Sequence, residues 1–317
     1  MRYITAAGIR GEFFLAVEAL RSQWLDPLCV RFPSNSASES YAWLGTPSGL
    51  TEVGGEKHGE ELPEYTLTIR NKTFDGGIEF RREDIERDKT GQISLTRTRE
   101  FAARCANHDV ELVSALMLAG TGTTLGKAYD GQNFFSASHS SAKSGTQKNL
   151  LTKTTITELQ VAVAAKPTST EAVNAILGVI AHMLGYKDDQ GKPMNSTARQ
   201  FMVMTAPALW SRLVPAVVNA TINSGDTNTI ASLRQDGFDI SIVANPLLTY
   251  TVDFDVYRTD APLKPYAIQE EVPLEFDVLD ENSEHFKLNN SIVGKAYTRK
   301  NVGFARWEYA AHATLST

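Results

Sequence analysis

Two cysteines, Cys29 and Cys105, are all that 317 residues hold, and they share no C-x-x-C spacing. That excludes a disulfide framework and a zinc knuckle and leaves two reduced thiols. The six histidines (His58, His108, His139, His182, His285, His312) are scattered, with none three or four residues from another, so no metal site is indicated. Long apolar runs are missing too. The most apolar segment, "AILGVIAHMLGY", is about a dozen residues, where a spanning helix needs about twenty. The opening "MRYITAAGIR" has no apolar signal-peptide core, so neither export by a cleaved signal nor membrane insertion is expected. Basic excess is also lacking: the formal charge is -6, unlike a chain built to grip nucleic acid through its phosphates. No repeat period and no G-x-S-x-G elbow occur.

What is present fits an α+β chain. Phe14, Val17, Leu20, Trp24 and Leu25 recur at helical spacing and predict a helix over 11–26, stopped by Pro27. Residues 31–63 are rich in Ser, Thr and Gly, keep no period and need something else to pack against; "YAWLG" is their one strongly apolar piece. "YTLTIRNKTFDGGIEF" alternates like a strand pair, Gly76 and Gly77 marking a bulge or a close approach. "RREDIERDK" reads as a solvated helix face with Glu83 and Arg87 in the favourable order. The longest helical stripe runs from Leu95 to Ala119 and stops at Gly120. Beyond Leu150, "TELQVAVAA" and "TEAVNAILGVIAHML" read as helices, the second capped at Thr168, Ser169 or Thr170. Strand "QFMVMT", helix "APALWSRLVPAVVNA" and strands "FDISIVAN" and "DFDVYRT" complete an inserted lobe over 150–259, and the remainder is mostly strand.

Two stretches tempt a chemical reading. "TGTTLGKA" nearly spells a P-loop, but Thr121 replaces the first glycine, Ala128 replaces the Mg-binding hydroxyl, and a helix rather than a strand precedes it; no cofactor is expected. "YDGQNFFSASHS" packs serines around His139, so a hydrolase using the Ser136–His139 loop is one alternative, although no third partner is identifiable. The stretch reads better as architecture: Asp130-Gly131 makes a tight turn, and Phe134 and Phe135 point opposite ways, one ring into the chain's own core and the other toward a neighbouring lobe or subunit. Loss of His139 is then expected to be mild beside loss of either phenylalanine. No catalytic, cofactor or metal residue is assigned.

The order of "EFFLAVEAL", "SESYAWLG", "EYTLTIRNKTFDGGIEFRREDIERD", a long helix, "YDGQNFFSASHS" and a terminal "RWEYAAHATL" resembles the major head subunit of Mu-like tailed phages and prophages. The resemblance covers most of the first 140 residues and the C-terminal tail. It implies the Hong Kong 97-type capsid fold, with an N-arm (1–44), an extended E-loop (45–67), a peripheral domain with a spine helix (68–149 and 260–317) and an axial domain (150–259). It implies a non-enzymatic subunit that assembles as hexamers and pentamers into an icosahedral shell around double-stranded DNA, contacting the DNA weakly. The shell would be part of the virion and be assembled in the host cytoplasm. A portal and a maturation protease are implied partners. A separate scaffolding protein is expected because the N-arm helix begins without a long charged prefix. Candidate contacts between subunits are Trp43, Glu56, Lys57, Glu60, Arg81, Arg82, Glu83, Arg87 and Phe135. An encapsulin-like compartment shell is the alternative within the same fold.

Overall fold

The computed structural model of the chain describes residues 6–20, 22–44, 64–88, 92–222 and 225–317. Helix α1 (Ala6–Ala19) and a single turn α2 (Leu25–Leu28) precede strands β1 (Cys29–Pro33), β2 (Ser38–Leu44), β3 (Glu64–Arg70) and β4 (Lys72–Arg81). Short α3 (Arg82–Arg87) and long α4 (Gln92–Leu118) follow, then β5 (Leu150–Leu151), α5 (Ser169–Leu184), β6 (Gln200–Thr205) and α6 (Pro207–Val218). Next come β7 (Thr221–Ile222), β8 (Asp226–Thr227), α7 (Thr229–Leu233), β9 (Asp239–Ala244) and β10 (Asp253–Arg258). The chain ends with β11 (Tyr266–Leu279), α8 (Glu284–Asn289), β12 (Ser291–Phe304) and β13 (Ala310–Thr314).

A four-stranded sheet in the order β1-β11-β12-β4 carries α1 and α4. Burial of one stripe on each helix explains their placement: Ile9 and Phe13 of α1 and Ala102 of α4 meet Phe276 and Ala296 of the sheet, with the Phe13 and Phe276 rings stacked 4.0 Å apart. The β4–β12 register runs without a break from Ser291↔Arg81 to Lys300↔Lys72, so Gly76 and Gly77 mark close approach and not a bulge. A Cβ on Gly77 would meet the Gly294 carbonyl at 3.3 Å. The register shifts instead lie in β11, between Glu270 and Val272 and between Val272 and Glu275. Pro273 sits there and has no N–H to offer the ladder.

A second sheet, in the order β5-β13-β10-β6-β9, forms the middle lobe with α5 and α6 packed against it. Thr168 caps α5 with a full capping box: its hydroxyl accepts from Glu171 N at 3.3 Å and its own N–H donates to the Glu171 carboxylate at 2.7 Å. Backbone donation from Ala162 and Thr168 holds the Glu171 carboxyl below its ordinary value.

Several expectations need correction. The 11–26 helix is two pieces, ending at Ala19 and resuming for one turn at Leu25, with Pro27 inside that turn. "TELQVAVAA" forms only a 3-10 turn at Thr157–Leu159, because Gln160 bridges Ser316 and Val161 N donates to Ser316 O at 2.9 Å. Part of the supposedly coreless 31–63 segment is strand: β1 pairs with β11, and β2 pairs with β3 from Ser38↔Arg70 to Leu44↔Glu64. The last strand, β13, lies between β5 and β10, so it belongs with the middle lobe and not with the peripheral part ending the chain. Residues 45–63 of the expected E-loop lie outside the described residues.

Candidate functional site

After α4 the chain doubles back because Gly120 leaves no Cβ where the Phe135 ring packs; a Cβ there would sit 2.5 Å from Phe135 Cδ2. The near-P-loop is thus a turn closing on its own core, and no strand precedes it. A turn follows at Ala128–Gly131, closed by Gly131 N donating to Ala128 O at 3.0 Å, with Gly131 at φ 79°. Phe134 stacks on Phe304 (4.6 Å) and lies edge-on to Phe135 (4.9 Å). Both rings are fully buried in the same core, at 0% and 1% exposure. Phe135 therefore has no surface to offer a neighbour, and its assignment as an intersubunit contact is corrected. The two side chains diverge less than an extended strand requires, because the chain turns between Gly120 and Ser136.

His139 closes this latch. Nδ1 faces Asp130 Oδ2 at 2.7 Å; Nε2 faces Phe134 O at 3.2 Å and Asn149 Oδ1 at 3.1 Å; the ring stacks flat on Trp307 at 4.0 Å. Asn149 completes the network, accepting from Ser136 N and donating to Phe134 O, both at 2.8 Å. No edge of the His139 ring is exposed and both nitrogens are engaged within the chain, so the ring serves here as structure. Burial of the ring is reason to expect a larger loss on its removal than the sequence suggests.

A second, partly buried cluster was not anticipated from sequence. Asp109 on α4 accepts from Lys300 Nζ of β12 and from Arg31 Nη2 of β1 at 3.0 Å, tying three elements at one carboxylate. Burial alone would raise the Asp109 pKa, but Lys300 and Arg31 more than offset it, and the carboxyl lies below its ordinary value. Beside the latch, the Tyr129 hydroxyl donates to Glu308, which Arg306 Nη1 also contacts at 3.3 Å. In the middle lobe, His312 Nδ1 faces Asp255 Oδ1 at 2.6 Å, and Tyr250 and Tyr257 donate to the other oxygen of Asp255 at 3.0 and 2.9 Å.

The remaining sequence-chosen residues fall into three groups. Trp43 lies on β2 opposite Tyr65 in the ladder. Glu56, Lys57 and Glu60 lie outside the described residues. Arg81, Arg82, Glu83 and Arg87 are exposed together where β4 runs into α3, and Arg82 N donates to Asn290 O at 2.9 Å beside α8. Glu83 and Arg87 approach to 3.6 Å, an exposed pair contributing little to stability by itself. Among the described residues no group of three or more His, Cys, Asp or Glu is placed to hold a metal, and no helix is long and apolar enough to cross a membrane.

A sheet backed by a long helix, a hairpin leaving it and an inserted lobe with its own sheet define a class: this is the Hong Kong 97-type capsid fold. A chain of the procapsid of bacteriophage JBD30 superposes with a TM-score of 0.53 at 20% identity, covering 98% of this chain and 75% of that one. The family model for the Mu-like prophage major head subunit gpT matches residues 4–163, half of the chain, and the chain belongs to that family. Its curated relatives include the Mu-like prophage FluMu major head subunit of Haemophilus influenzae, 37% identical over 106 residues, or 33% of each protein. The major capsid protein of Escherichia phage Mu is 31% identical over 130 residues, or 41% of each. The chain aligns with less than half the length of either relative.

Proposed function

We propose that this chain is a major capsid protein that self-assembles as hexamers and pentamers into the icosahedral head shell of a phage, enclosing double-stranded DNA. The observation that carries the reading is a hairpin whose two strands pair only with each other beyond their root, on a chain of the Mu-like head-subunit family. A two-stranded ribbon is marginal alone in water, so it has reason to lie on another subunit. In this reading the four-stranded sheet with α4 is the peripheral domain, the five-stranded lobe including β13 is the axial domain, and Arg81, Arg82, Glu83 and Arg87 form a charged rim where subunits meet. Many modest contacts, closed by symmetry, hold the object together. Family membership further supports a scaffold, a portal and a maturation protease as partners, weak non-specific contact with packaged DNA, assembly in the host cytoplasm and residence in the virion.

Electron microscopy of the purified protein, expressed with its scaffold, tests this: closed hollow particles are expected. A compact monomer at every salt and protein concentration overturns it, and particles that hold a cargo protein in place of DNA favour a compartment shell.

A further inference from the structure

The geometry points to a buried polar rivet, centred on Gln269 and Asn71, that sets the direction in which the β2–β3 hairpin leaves the four-stranded sheet. What the rivet supplies to assembly is that direction, held by bonds that also keep the root of the hairpin closed. The inference rests on the capsid reading above.

Gln269 of β11 is completely buried, paired in register with Phe32 of β1 and in contact with Tyr41 and Ile69, three members of one apolar cluster. A carboxamide in such surroundings is costly unless its hydrogen bonds are made. Here each is made to the hairpin or its flank. Oε1 accepts from the Tyr41 hydroxyl of β2 at 3.0 Å, and Nε2 donates to Ile69 O of β3 at 3.2 Å and to Asn71 Oδ1 at 2.8 Å. Asn71, the single residue between β3 and β4, carries the network outward. Its Nδ2 donates to Ser36 O at 2.8 Å, to Ser34 Oγ at 3.0 Å and to Glu271 Oε2 at 3.2 Å, and its own N–H donates to Ala37 O at 2.9 Å. Glu271 is held in turn by Arg299 Nη1 at 2.6 Å. From β12, Asn301 Nδ2 donates to Arg70 O at 2.7 Å.

Both hairpin strands are therefore fastened at the root to β11 and β12, while the ladder from Tyr41↔Leu67 to Leu44↔Glu64 pairs only within itself. The seat is close-fitting, since a Cβ on Gly303 would meet Ile69 Cδ1 at 2.7 Å. The register shift of β11 begins at Glu270, directly after Gln269, and a shift of that kind re-aims the side chains beside it. An aliphatic side chain at 269 would bury apolar surface equally well. Only directional donors and acceptors fix an angle.

Three variants test this: Tyr41→Phe, which removes one oxygen, Asn71→Ala and Gln269→Leu. Amide hydrogen exchange is read on the unassembled chain and closed-particle yield by electron microscopy. Exchange of β2 and β3 amides is expected to quicken roughly fivefold for each bond lost while α4 amides keep their wild-type protection. Closed-particle yield is expected to fall severalfold in step. Hairpin exchange that rises no more than that of α4 overturns the rivet, and wild-type particle yield from a loosened hairpin overturns its role in assembly. If Gln269→Leu fails to fold, Tyr41→Phe and Asn71→Ala decide alone. A wild-type chain that forms no particles overturns the capsid reading and the assembly role together, and the exchange data still judge the rivet.

Discussion

Replacing His139 by alanine strikes the latch at its most connected point. The change deletes the partner facing Asp130 Oδ2, whose side chain is 2% exposed, and the ring lying flat on Trp307. Leaving that buried oxygen without its donor costs about 1–3 kcal/mol, while Asp130 Oδ1 keeps the Gln132 N–H at 3.1 Å. Loss of the ring contact adds about 1 kcal/mol. The other two contacts add less: Asn149 Oδ1 keeps Ser136 N and Phe134 O keeps Asn149 Nδ2, so neither acceptor is orphaned. The total, about 2–4 kcal/mol, is a sizeable share of the roughly 5–15 kcal/mol that holds a domain folded. Urea unfolding of the unassembled chain at neutral pH, followed by circular dichroism, measures it. Adding Asp130→Ala should then return about 1 kcal/mol, since the unpaired Oδ2 disappears with it. A cost under about 1 kcal/mol for His139→Ala, or strict additivity in the double variant, would refute the reasoning and leave the loop held by its phenylalanines alone.

Gly120→Ala should destabilise the chain by about 1–3 kcal/mol in the same assay through overpacking against the Phe135 ring. Asp109, with its pKa depressed, contributes stability that is present above the unfolded value of about 3.9 and is lost as pH falls through the folded value; Asp109→Asn should flatten that acid limb of a stability–pH profile. For His312, burial opposes the charge but Asp255 and then Asp253 outweigh it, so the pKa is raised. Its stabilisation is complete below about 6.5 and is lost as pH rises through the folded value, an alkaline loss that His312→Gln should remove. Replacing Thr51 to Glu60 with a short Gly-Ser turn should leave the thermal unfolding of the unassembled chain unchanged and reduce or weaken closed particles; unfolding of the chain itself, or particles of unchanged yield and salt resistance, would count against an intersubunit arm.

Local signals in the sequence were reliable where local physics decides. The N-cap of α5, the apolar stripe of α4 and the buried run of β6 all emerged close to their expected bounds, because each is written within a few residues. "TELQVAVAA" misled because its helical spacing was overridden by pairing with Ser316, more than 150 residues away. The latch was half legible. Asp130 and His139 are neighbours in sequence, but the ring that buries His139 belongs to Trp307. Arg31, Asp109 and Lys300 carry no shared motif at all and meet only when β1, α4 and β12 have docked. The resemblance to a head-subunit family supplied the architecture that periodicity could not.

The place of β13 between β5 and β10 has a consequence during synthesis. Residues 310–314 leave the ribosome more than fifty residues after β10 and more than 150 after β5, yet they are the plank joining those strands. Until they arrive, β10 presents a bare hydrogen-bonding edge to other nascent chains, and an unpaired edge of this kind invites wrong partners. Pairing across such sequence distances is slow because the loop must close before any contact repays it. A subunit of this design finishes its middle lobe only once residue 314 has been made, so an interrupted chain is left with an open sheet and a tendency to aggregate.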